Sequence, residues 1–97
     1  MKGRIDAADR ISRRMPALKK TFGIRKMGVF GSCARGEQKE GSDMDLLVEL
    51  DQTPSLLEFI ALERALSKIA GRKVDLVMKS ALKPAIGKRI MKEVRYI

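Results

Sequence analysis

The chain of 97 residues carries 21 lysines and arginines against 12 aspartates and glutamates, for a net charge of +9, with one cysteine and no histidine. Without histidine, His/Cys zinc centres and histidine triads are excluded; the lone Cys33 excludes an intrachain disulfide, and any metal must be held by oxygen, which suits magnesium or manganese. The length fits a single domain over residues 1–97, and the positive field favours nucleotides, RNA or an acidic protein surface as partners.

No apolar run approaches the roughly 18 residues that span a membrane, and MKGRIDAADR has no apolar leader core. The expected location is cytoplasmic.

In chain order, residues 6–22 carry an apolar stripe at helical spacing: Ala8, Ile11, Met15, Leu18 and Phe22. Pro16 predicts a kink or two short helices, and Gly23 ends the segment. Ile24 to Phe30 reads as a strand, broken by Gly31-Ser32. Ser32 to Arg35 fits a short helix with Ser32 near its N-cap. Glu37 to Ser42 is a polar loop.

Asp43 to Leu50 reads as a second strand. Met44, Leu46, Val48 and Leu50 share one face; Asp43, Asp45, Leu47 and Glu49 share the other. A helix follows, starting either at Thr53-Pro54 or with Ser55 as cap and Glu58 as its capping-box partner. Its stripe is Phe59, Leu62, Leu66 and Ile69, and Gly71 stops it. Lys73 to Met78 is a third strand, with Val74, Leu76 and Met78 facing opposite to Asp75 and Val77. After Lys83-Pro84 a last helix carries Ile86, Ile90, Met91 and Val94. The methionines at 27, 44, 78 and 91 read as core filler.

The helical crossover predicts that strands two and three are parallel. The fold class is therefore α/β (α+β): a small mixed three-stranded sheet with helices, one face covered.

The chemistry lies in the acids. Asp43 and Asp45 stand at i and i+2 on a strand, so their carboxylates come within roughly 5–7 Å of each other. A structural explanation has Asp43 as a turn residue and Asp45 paired with a Lys or Arg. Asp75, the lone acid of strand three, shifts the balance, because it can join the same face. Three carboxylates without histidine make a hard-oxygen site for magnesium, and paired ions serve in-line phosphoryl or nucleotidyl transfer. Upstream, Gly31 lets backbone approach a ligand, and Ser32 adds a hydroxyl beside a short helix start. Arg35 and Lys39 are within the same loop and could meet phosphate. Cys33 reads as a small packing residue.

The stretch GSCARGEQKEGSDMD has the form G-S-x₁₀-D-x-D and resembles the signature of the DNA polymerase beta-like nucleotidyltransferase superfamily. VFGS, ARGE, SDMDLLVE, TPSLLEF, KVDLV and the closing VRYI resemble its smallest branch, the minimal nucleotidyltransferases. The resemblance implies a palm-like fold in which Gly31 and Ser32 hold the β- and γ-phosphates of ATP. It implies that Asp43 and Asp45 bind two Mg²⁺ ions, while Asp75 completes one metal site and helps activate the acceptor hydroxyl. It further implies an antitoxin that transfers AMP to a tyrosine of a HEPT-domain toxin. Two alternatives stay open: an antitoxin acting by binding alone, and a transferase acting on a nucleic acid or small molecule. The four scattered aromatics offer no base-reading surface for a nucleic acid.

Overall fold

The computed structural model describes residues 7–31 and 43–97. Helix α1 spans Ala7–Phe22 and buries Ile11, Met15 and Leu18. Pro16 sits inside it without dividing it. The proline and Ser12, whose carbonyl loses its i+4 donor, are both exposed, so water can satisfy that carbonyl. The chain leaves α1 through Gly23, which takes a φ of 69° and donates to the Lys19 carbonyl at 2.9 Å.

Strands β1 (Ile24–Phe30) and β2 (Met44–Leu50) pair antiparallel. Helix α2 (Leu56–Ala70) then crosses over to β3 (Val74–Met78), which runs parallel to β2. The capping box, not Thr53-Pro54, sets the start of α2. Ser55 Oγ accepts from the Glu58 N–H at 3.1 Å, and Glu58 Oε1 accepts from the Ser55 N–H at 2.8 Å. Those two bonds satisfy two amides that Pro54 could not. Gly71 ends α2 in the left-handed region.

A 3₁₀ turn at Lys79–Ala81 leads to α3 (Pro84–Glu93), and the chain closes on a fourth strand, β4 (Arg95–Tyr96). The sheet order is β3-β2-β1-β4. The mixed α/β class holds, with one strand more than expected. Two residues are too few to show a strand period; the pairing is extended by the Ile97 N–H donating to the Met27 carbonyl at 2.9 Å. Gly28 makes room for the return. A Cβ there would meet Val94 Cγ2 at 2.5 Å and the Arg95 carbonyl oxygen at 3.1 Å.

The core joins α1 and α2 to one sheet face through Ile11, Leu62, Leu66, Met27, Met44, Leu46, Val48, Val74 and Leu76. The opposite face is not bare as expected. Leu47, in register with Gly28, is 1% exposed, and Val94 packs over that glycine. The rest of α3 sits loosely. None of its residues is fully buried, and Ile86 and Met91 are exposed, which removes Met91 from the expected core.

Strand β3 lies at the sheet edge, where outward N–H groups invite pairing with another chain. Helix α2 closes that edge. Ser67 Oγ accepts from the Val74 N–H at 3.0 Å, and Glu63 Oε2 accepts from the Leu76 N–H at 3.1 Å. The double substitution Glu63→Ala/Ser67→Ala should cost about 1–3 kcal/mol in urea denaturation and promote self-association in sedimentation.

Candidate active site

Register brings the acids together. Asp45 is the direct neighbour of Asp75 across the parallel β2–β3 pair. Direct neighbours project to the same face, with strands about 4.8 Å apart. Asp43 precedes β2 by one residue and Lys73 precedes β3 by one; the Met44 N–H donates to the Lys73 carbonyl at 2.9 Å. By the two-residue alternation of a strand, Asp43, Asp45, Lys73 and Asp75 form a two-by-two patch on one face. Met44, Leu46, Val74 and Leu76 point the other way, into the core.

The patch explains how a buried strand tolerates acids. Asp43 and Asp75 are exposed and Asp45 is half-buried, so the like charges stay largely hydrated. Lys73 takes the fourth corner. Its Nζ lies 3.9 Å from Asp43 Oδ2, with the two side chains 78% and 48% exposed. An ion pair so open to solvent contributes about 0–1 kcal/mol. Lys73 stands beside Asp43. Among the described residues, no three acids or thiols stand close enough together to form a metal-holding group.

The β1 turn lies against one of these acids, Asp45. Gly31 has a φ of 73°, and the position its Cβ would take falls on the Asp45 carboxylate. A side chain here would be strained and would displace Asp45. The Gly31 N–H donates to Glu93 Oε1 at 3.2 Å, which brings the end of α3 to the turn. Ser32 and Arg35, expected to serve phosphate, lie outside the described residues, as do Cys33, Lys39 and Ser42.

Sequence reasoning singled out Gly31, Asp43, Asp45 and Asp75 but missed Glu93. One signal was available: an acid in the last turn of a helix opposes the macrodipole, and basic residues otherwise crowd the end of α3.

A cleft of about 420 Å³ elsewhere, lined by Thr21, Leu50, Asp51, Pro54, Glu58 and Leu62, offers no rival centre. Asp51 is paired with Arg25 at 3.3 Å, and Glu58 belongs to the capping box.

Residues 10–97 match the nucleotidyltransferase domain family. The chain belongs to the nucleotidyltransferase family. Among its relatives, the protein adenylyltransferase MntA of Thermococcus cleftensis is 54% identical over 80 residues, covering 82% of this chain and 81% of that one. A solved structure described as a minimal nucleotidyltransferase superposes with a TM-score of 0.77 at 33% identity, covering 97% of this nucleotidyltransferase and 98% of that chain. A solved complex of an AMPylated HEPN toxin of Shewanella oneidensis with its MNT antitoxin shares the fold at a TM-score of 0.68 and 15% identity. That match covers 93% of this chain and 70% of the other. The family resemblance read from the sequence is thus borne out, and with it the enzyme class: the chain is a nucleotidyltransferase.

Proposed function

We propose that this nucleotidyltransferase is a single-domain protein adenylyltransferase. In this reading it moves AMP from ATP to a tyrosine hydroxyl of a HEPT/HEPN-type toxin and so acts as that toxin's antitoxin. The observation that carries the reading is the pairing of Asp45 with Asp75 on one face, against the Gly31 turn. The similarity to a protein adenylyltransferase supports a protein acceptor, and the shared fold with an antitoxin whose toxin is AMPylated is consistent with it. Action in the cytoplasm, where ATP is supplied, belongs to the same proposal. No helix among the described residues is long and apolar enough to cross a membrane.

Asp43, Asp45 and Asp75 would hold magnesium. The donors fit in kind, being hard carboxylate oxygens on an open, hydrated face; the three side chains, which do not form a metal-holding group as they stand, would have to draw together on the ion. When bound, such ions offset negative charge on the phosphoryl group in transfer and on the departing pyrophosphate. Asp75, at the outer strand, is assigned to accept the proton of the incoming hydroxyl. A new oxygen–phosphorus bond forms to AMP, and the bond to pyrophosphate breaks. Gly31, Ser32 and Arg35 are assigned to the triphosphate side.

Neutralisation by binding alone is the second reading. It draws on the Lys73–Asp43 contact, which engages one of the three acids. Incubation with α-labelled ATP, Mg²⁺ and the toxin encoded beside this chain separates the two. Label should appear on the toxin and vanish when its acceptor tyrosine is replaced by phenylalanine. A stable complex with no label would establish the binding-only reading, and label on RNA or a small molecule would redirect the acceptor.

A further inference from the structure

We infer that Glu93 is a positioning residue of the transfer site: through the Gly31 N–H it holds the β1 turn, and through that turn it fixes Asp45. The inference rests on the proposed function, since it assigns Glu93 a part in building that site.

Three observations meet here. First, Glu93 is the last residue of α3, where a carboxylate works against the helix dipole. The side chain is half-buried and spends its Oε1 on the Gly31 amide, 62 residues away in sequence. A local rule broken where a distant contact is made marks a tertiary requirement. Second, the next residue is anchored. Val94 sits where Gly28 leaves no room for a Cβ, and Ile97 bonds back to Met27. Glu93 is therefore presented from a fixed junction, although the rest of α3 packs loosely. Third, the turn that Glu93 holds is the one that lies against the Asp45 carboxylate. A shift of the turn moves the acid.

The bond also reassigns a donor. The Gly31 N–H is engaged by Glu93, so the part in holding phosphate that the resemblance implies for Gly31 falls to its close backbone approach. A triphosphate bound here would then draw on other groups.

The test compares Glu93→Met, which keeps bulk but loses the acceptor, with Glu93→Gln, which keeps an acceptor oxygen. Hydrogen exchange of the Gly31 amide, read by NMR, should quicken about tenfold or more in Glu93→Met and stay near wild type in Glu93→Gln. Transfer of AMP to the partner toxin should lose kcat about tenfold to a hundredfold in Glu93→Met, with KM for ATP little changed and Glu93→Gln restored to near wild type. Unchanged exchange in Glu93→Met, unchanged kcat, or tighter ATP binding (which would make Glu93 a competitor of phosphate) each overturns the inference. A wild-type chain that binds its toxin without transferring AMP overturns the functional reading beneath it, even with the amide protected.

Discussion

On the proposed function, Asp45→Asn will transfer AMP to a toxin partner more slowly than the wild type by on the order of a thousandfold, while denaturing at nearly the same urea concentration. Asparagine matches the size of aspartate, and β2 is held by its other face, where Met44, Leu46 and Val48 are almost wholly buried. The change therefore removes charge without removing structure. Asp45 is the acid placed between both sides of the site: it is in register with Asp75 across the strand pair and lies against the Gly31 turn on β1. Loss of its charge weakens any bound magnesium and leaves Asp43 and Asp75 as separated neighbours. Single-turnover transfer measured beside chemical denaturation is the check. Activity within tenfold of wild type would remove Asp45 from the chemistry.

The largest loss of stability should follow Leu66→Ala. Leu66 is 0% exposed, on the α2 stripe that meets both α1 and the sheet. Truncating a leucine in such a place costs roughly 2–5 kcal/mol, because transfer energy is lost and a cavity remains. A domain of this size has about 5–15 kcal/mol in total, so the urea midpoint should fall steeply with an unchanged slope. Leu57→Ala is the control. Leu57 lies one residue into the same helix, 78% exposed, and its loss should cost about 0.5 kcal/mol or less. Equal costs for the two would contradict the assigned face of α2.

Much of this architecture could be read from spacing. The stripe of α2, the limits of β1, the proline start of α3 and the opposed faces of β2 and β3 all follow from periods of 3.6 and 2. They held because burial on one side leaves only one way for each element to turn. Three acids on one face were legible for the same reason. What escaped depended on contacts between distant parts. Pro16 could be judged only once its side of α1 was known to face solvent. Strand β4 is too short to show alternation and exists because Gly28 admits Val94. Glu93 has no role until α3 is seen to end beside Gly31. The capping box of α2 was legible as one of two starts; choosing between them required the Ser55 and Glu58 geometry.

The parallel pairing of β2 with β3 acts as a vernier for the chemistry. Sliding one strand past the other by a single residue would turn one acid to the far side of the sheet and push an aliphatic side chain out to water. Methionine, leucine and valine packing against α1 and α2 therefore sets the alignment of the carboxylates as well as the stability of the domain. Conservative swaps at Leu46 or Leu76 could then leave a folded protein that has lost its alignment, detectable as inactivity with a native circular dichroism spectrum.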